Sequence, residues 1–252
     1  NKFSIFCSAK DSGLNIGVLS ALIQAGAMDS YITDSRSKTV LHAQLWSLLT
    51  DREKSKCMEL GEKFNYDLIK ILKHLKQAKN DKGKPFISER RNQTLQKKYQ
   101  PYKEIFIQNR KNEALASYWY EKRLLGYSYS QKLFDIVKEC QPDLIPVKEA
   151  LSAYEKEHVT VCGEITDVKY WKAKSTQNSC FKCVIADSTG SIEALLFGDN
   201  IKKEEERNGG ETFKKEWIVV VEGIKKGDGA IFANRIRRKE SEIFMKLKEL
   251  KR

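Results

Sequence analysis

Residues 184–200 read VIADSTGSIEALLFGDN. An apolar stretch runs to Asp187, breaks at Ser188-Thr189-Gly190 and resumes as Ser191-Ile192-Glu193-Ala194-Leu195-Leu196-Phe197. The Asp carboxylate can bond the turn backbone and Gly accepts a positive φ, so a tight β-hairpin is expected. On the strand before the turn, Phe181, Cys183 and Ile185 alternate with Cys180, Lys182 and Val184. A period of two sends these sets to opposite faces, one to close a core and one open to a ligand.

Working outward, Val159, Val161, Gly163 and Ile165 alternate with polar residues and read as a half-buried strand. Further strands are expected at about 180–187, 191–197, 217–224 and 230–237, with room for a short helix or long loop in GDNIKKEEERNGGETFKK (198–215). Five strands with one insertion describe a small barrel of the oligonucleotide-binding (OB) kind over residues 156–252. KYWKAKSTQN (169–178) and IKKGDG (224–229) then fall in the two connections that flank the usual OB groove. Aromatic platforms and cations suit single-stranded DNA, so Tyr170, Trp171, Lys172, Lys174, Lys182, Lys225 and Lys226 are its candidate contacts. The alternative is that Tyr170 and Trp171 pack the barrel end and the lysines are merely solvated. The dense acidic run Glu204-Glu205-Glu206 is expected to be a solvated face.

Residues 1–155 read as helical. Val18, Leu19, Leu22 and Ile23 share one helical face behind Asn15 as N-cap, and Ala25-Gly26-Ala27 breaks that helix. Ser35 or Ser37 caps the next helix. A further helical pattern spans 56–78, after which 79–98 turns polar, with a loop at NDKGKP (80–85) and the basic run ERRNQTLQKK (89–98). A helix resumes at 102–109 and continues to a stop at Gly126; Pro142 and Pro146 mark the linker into the strands.

The 252 residues carry 46 Lys and Arg against 34 Asp and Glu, a net charge of +12, which fits a polyanionic partner. Six scattered cysteines suggest reduced thiols and a cytoplasmic location. The longest clean apolar run, Ile218-Val219-Val220-Val221, is far too short to span a bilayer, so no membrane partner is expected. Asn1 in place of an initiator Met, with Phe3, Ile5 and Phe6 close behind, suggests a piece of something longer.

Three stretches resemble one family, the α subunit of bacterial replicative DNA polymerase III. HVTVCGEITDVKYWKAKSTQNSCFKCVIADSTGSIEALLF is similar to the OB domain near that subunit's C-terminus. Gly163, Ile165, Val168, Asp187, Thr189, Gly190, Ile192, Glu193, Leu196 and Phe197 match its pattern. GLNIGVLSALIQAGAMDSYITDSRSKTVLHAQL resembles its helix-hairpin-helix region through Leu19, Leu22, Ile23, Ala25, Gly26, Ala27, Met28 and Asp29. EKRLLGYSYS (121–130) resembles the segment ahead of its OB domain, although Gln131-Lys132-Leu133-Phe134 replaces the Gly-His-Pro-Leu that follows there. Residues 51–112 match nothing in the family.

The resemblance implies an α+β multidomain chain: an all-α helix-hairpin-helix-like region (1–50), a helical region and linker (51–155), and the five-stranded OB barrel (156–252). It implies the DNA-binding C-terminal portion of a family C type DNA polymerase, holding duplex through the hairpin and template single strand through the barrel. Backbone N–H groups of Ala25, Gly26 and Ala27, the next helix's N-terminus, and the charges of Arg36 and Lys38 would meet duplex phosphates. The other reading of Gly26 is a corner that needs it only for the turn.

Polymerase chemistry needs carboxylates on two metal ions, and the chain has no Asp-x-Asp pair. The resemblance puts the catalytic palm upstream, so neither catalysis nor a cofactor is expected in this chain. Cys180 and Cys183 stand three apart on a strand and diverge, so no metal site is expected. Gln131, Leu133 and Phe134 have the look of a sliding-clamp-binding peptide, but Leu133 and Phe134 with Ile136 and Val137 equally make an ordinary helix face. Besides the clamp and the rest of the polymerase, two other settings are open. One is a standalone single-strand-binding accessory protein; the other is the anticodon-binding OB appendage of a tRNA synthetase, which has no reason to carry the Ala25–Asp29 hairpin.

Overall fold

The computed structural model describes residues 1–79, 83–227 and 229–239, in two compact units that meet in sequence between Tyr129 and Ser130. Residues 80–82 of the NDKGKP loop, Asp228 of IKKGDG and the end of the chain from 240 lie outside the described residues.

The first unit is helical: α1 (Lys2–Asp11), α2 (Ile16–Gln24), α3 (Arg36–Ser47), α4 (Asp51–Glu59), α5 (Leu68–Gln77), α6 (Glu89–Asn109) and α7 (Glu113–Leu125), with one 3-10 turn at Glu62–Phe64. Asn15 caps α2 by accepting the Val18 N–H, and Ser35, rather than Ser37, caps α3 through the Lys38 N–H. Leu19 and Ile23 enter a core with Phe3, Phe6, Leu45, Trp46, Ile71, Leu75 and Leu95, where Phe3 stacks on Trp46 at 4.7 Å. Val18 stays exposed, so the buried stripe of α2 is narrower than its apolar pattern.

Two stretches differ from the sequence pattern. The run 56–78 is two helices, because Asn65 and Tyr66 take left-handed backbone (φ 50° and 54°) between them. The basic run 89–98, which shows no apolar period, is already the first half of α6, so the helix expected to resume at 102 begins at Glu89 and continues through Pro101 to Asn109. Leu95 and Ile105 are its only buried apolar residues, too few to show a period. Polar anchors replace them: Arg91 donates to Glu53 at 2.8–2.9 Å and to the Leu48 carbonyl at 2.8 Å. Gly126 ends α7 at φ 87°, a left-handed cap that suits glycine.

The second unit contains α8 (Leu133–Lys138), α9 (Val147–Ser152), β1 (His158–Lys172), β2 (Ser179–Ala186), β3 (Ser191–Phe197), α10 (Asp199–Arg207), β4 (Ile218–Lys225) and β5 (Ala230–Arg238). The strands close a barrel in the order β1-β2-β3-β5-β4, with β3 and β5 parallel and β4 returning to β1. That is the OB topology, and with the helical unit it makes the chain α+β. Phe181, Cys183, Ile185, Ile192, Ala194, Leu196, Val219, Val221 and Ile231 fill the barrel. Cys180 points the other way from Cys183, so the thiols diverge. Gly163 is required where β1 crosses β2, since a Cβ there would stand 2.4 Å from the Ala186 carbonyl oxygen.

The DSTG hairpin does more than turn. Asp187 Oδ1 accepts from the Thr189 and Gly190 N–H groups, while Asp187 Oδ2 accepts the Val147 N–H at 2.9 Å and Thr189 Oγ1 the Lys148 N–H at 3.0 Å. The hairpin thus caps α9, whose Pro146 offers no side chain to do so. Val147 and Ala150 of α9 belong to the barrel core, which is why this stretch groups with the strands.

In the acidic run Glu204 and Glu205 are likewise structural, and Glu206 is the member that faces solvent. Glu204 is 2% exposed and accepts the Ile236 N–H at 2.9 Å, and Asn208 bonds the Ile236 carbonyl and the Arg238 N–H, each at 2.7 Å. β3 pairs with β5 only as far as Phe232, so α10 satisfies the backbone of β5 beyond that point.

Candidate nucleic-acid interface

The barrel's outer face follows from its register. Trp171 pairs with Cys180 and Cys180 with Phe197, one row across three strands. Lys169, Lys182, Leu195 and Phe232 form the next row. Directly paired residues share a face, so these two rows lie together on the side away from the core. Trp171, Phe197 and Phe232 are 36%, 41% and 38% exposed. Phe197 meets Phe232 edge-on at 5.2 Å, and Lys226 Nζ sits 4.7 Å from the Phe232 ring centroid. Lys169 is exposed, as is Lys174 in the loop leaving β1. Lys182 is held by Glu193 at 2.6 Å. The face therefore presents rings with cations beside them.

Tyr170 is not part of it. A β-bulge between Ile165 and Asp167 inserts one residue into β1 and reverses the alternation beyond it. Trp171 turns outward, while Tyr170, though 43% exposed at its edge, packs on core Phe181 at 4.7 Å. Its hydroxyl donates to Glu205 at 2.8 Å and accepts the Phe213 N–H at 3.0 Å. Burial, then Glu205, raises its pKa above the ordinary tyrosine value. Lys172, one step from Trp171, shares the Tyr170 side. Lys225 is also removed: it is 3% exposed and its Nζ donates to the Lys226 carbonyl at 2.6 Å, so it cannot meet a phosphate. Phe197 and Phe232 were legible as outward positions because each follows a core residue, Leu196 or Ile231, but neither lies in a basic loop.

The Ala25-Gly26-Ala27 corner has a different use from the phosphate cradle expected of it. Its N–H groups donate to the carbonyls of Ala21, Ile23 and Leu22 in turn. Arg36 is 9% exposed and bonds both Asp29 oxygens through Nε (3.0–3.1 Å), Glu121 through Nη1 (2.6 Å) and the Gln24 carbonyl (3.2 Å). Glu121, fully buried, also accepts from Ser128 (2.7 Å) and the Tyr129 N–H (2.8 Å). Burial works against the guanidinium's charge, yet Asp29 and Glu121 hold its pKa above the ordinary value. A Cβ on Gly26, at φ 85°, would strike the Tyr129 hydroxyl and Arg36 at 2.0–2.3 Å. At the start of α3, the Ser37 N–H is taken by Glu113 (3.1 Å), and Lys38 pairs with Asp34 (2.9 Å) and Asp67 (3.2 Å). The donors and cations of this corner are consumed inside the fold.

The Gln131–Phe134 stretch is not an open peptide. Leu133 starts α8 and is buried with Ile136 and Val137, while Lys138 lies over the Phe134 ring at 5.8 Å. A clamp could not take Leu133 without unwinding α8. Among the described residues no cluster of three or more metal-ligating side chains occurs, and no helix is long and apolar enough to cross a membrane.

No protein-family model matches the chain, and no curated protein is similar to it. Among solved structures it is similar to the second OB-fold domain of replication protein A from Methanococcus maripaludis, at 20% identity over 38% of this chain and 95% of that one (TM-score 0.28). It is similar to Rim1, a mitochondrial single-stranded DNA binding protein from S. cerevisiae, at 15% identity over 34% and 97% (TM-score 0.28). A third is the telomere capping protein Ten1 from Saccharomyces pombe, at 14% identity over 38% and 79% (TM-score 0.27). The strand order of the closed barrel, not these distant likenesses, defines the class: an OB-type barrel preceded by a helical unit.

Proposed function

We propose that the barrel binds single-stranded DNA along its outer face. Bases stack on Trp171, Phe197 and Phe232, and phosphates meet Lys169, Lys174 and Lys226. The observation that carries this reading is the cross-strand arrangement of the three rings: they are solvent-exposed, Phe197 and Phe232 touch, Trp171 lies in the row of Phe197 across Cys180, and none belongs to the core. Stacking contributes roughly 1–3 kcal/mol per base and tolerates any sequence. Trp171→Ala should therefore weaken binding of a labelled oligothymidylate about 5- to 100-fold by anisotropy, with Phe197→Ala and Phe232→Ala in the same direction. Unchanged affinity in all three would sink the proposal.

The polymerase resemblance supports a finer setting, in which this chain is the template-handling, non-catalytic portion of a replicative DNA polymerase. The barrel's self-contained core and face equally suit a standalone single-strand-binding protein. A primed template distinguishes them. The polymerase setting predicts tighter binding to a junction with a recessed 3′ primer end than to one of the same duplex and single-strand lengths with the opposite polarity, and the accessory setting predicts no preference between the two.

A further inference from the structure

The largest concentration of positive charge lies in none of the three stretches that resemble the polymerase. Residues 68–103 contain eleven Lys and Arg and two acidic residues, a surplus of nine within a chain whose net charge is +12. Its described residues build α5 and most of α6. Leu68, Ile71 and Leu75 face the core, leaving Lys70 and Lys73 on the opposite side of α5. On α6, Leu95 and Ile105 face inward, and Arg90, Gln93, Lys97 and Gln100 recur on the exposed side at helical spacing, with Lys98 exposed at its flank. Lys76 pairs with Glu89 at 3.0 Å and ties the two helices together.

Two features separate this surface from an ordinary solvated one. First, Lys70, Lys73, Arg90, Lys97 and Lys98 have no ion-pair partner among the described residues, whereas Lys2, Arg36, Lys38, Lys54 and Arg91 of the same unit do. Charge that other parts of the unit neutralise internally is left open here. Second, among the described residues between Met58 and Ile107 no large apolar side chain is exposed, and the rings of Phe86, Tyr99 and Tyr102 are half-buried. The surface offers bases no open ring to stack on and suits a partner that presents a dense, regular array of phosphates. Cations interleaved with Gln and Thr on a helix are the donors that phosphate contacts use.

We infer that the α5–α6 surface binds the backbone of double-stranded nucleic acid without sequence preference, as a site separate from the barrel. The test uses the full chain with Lys70, Lys73, Arg90, Lys97 and Lys98 all changed to Gln; every one is exposed, and circular dichroism checks the fold. Affinity for a short DNA duplex is measured between about 50 and 200 mM salt, where phosphate-dominated binding falls steeply. The expected result is a log–log salt slope smaller by about 4.5 than wild type, near 0.9 for each of the lost contacts. Trp171→Ala should leave that slope unchanged. An unaltered slope in the five-site variant would overturn the inference. So would wild-type protein that ignores duplex but binds polyglutamate through these residues, since the partner would then be an acidic protein.

Discussion

The α2–α3 corner and the outer face of the barrel both hold cations, but they use them in opposite ways. At the corner, Arg36 is enclosed by Asp29 and Glu121, and Lys38 by Asp34 and Asp67. On the barrel, Lys226 lies over an exposed ring and Lys169 faces solvent. The difference teaches that a basic motif binds phosphate only if its charges are left unneutralised by the fold. Partners distant in sequence, such as Glu121 for Arg36, decide that.

The sharpest way to break this comparison is at Arg36. Removing one member of a buried pair typically costs about 3–5 kcal/mol, because the other charge stays buried alone. Glu121→Ala should therefore destabilise the helical unit by that order in urea, with single-strand binding by the barrel preserved. Arg36→Ala with normal stability and lost duplex affinity would restore the corner as a DNA site.

A second test concerns His42, fully buried near the same ion pairs with neither ring nitrogen hydrogen-bonded. Burial, then Lys2, pushes its pKa down to about 3 from 6.5. Between those values the unfolded chain takes up a proton that the folded one refuses. Stability therefore falls as pH drops through this window, by up to about 1.4 kcal/mol per pH unit. His42→Phe should flatten that slope in chemical denaturation, while the barrel's melting stays insensitive to the change.

The smallest effect sharpens the barrel side. Tyr170→Phe loses the hydroxyl's bonds to Glu205 and the Phe213 N–H, and should cost about 1 kcal/mol of stability without weakening single-strand binding. If it weakens binding as much as Trp171→Ala, the assignment of faces is wrong.

Much of the barrel was legible in the sequence because the hairpin and its alternation are local. Period alone put Phe181, Cys183 and Ile185 together on one face of β2, and that face proves to be the core. Tyr170 and Trp171 could not be told apart, because the bulge at 165–167 changes parity and leaves no mark in residue type. Lys225 read as a loop cation and is buried at a strand end. The role of Arg36 was hidden because its partner lies 85 residues away. The first half of α6 was hidden because polar anchors, not an apolar stripe, hold it.

The most direct test of the central claim is ultraviolet crosslinking of the intact chain to oligothymidylate, with the attached residues identified by mass spectrometry. The account predicts crosslinks at Trp171, Phe197 and Phe232, lost when unlabelled single strand competes. Crosslinks confined to Tyr170 and its side of β1, or to the helical unit, would contradict it.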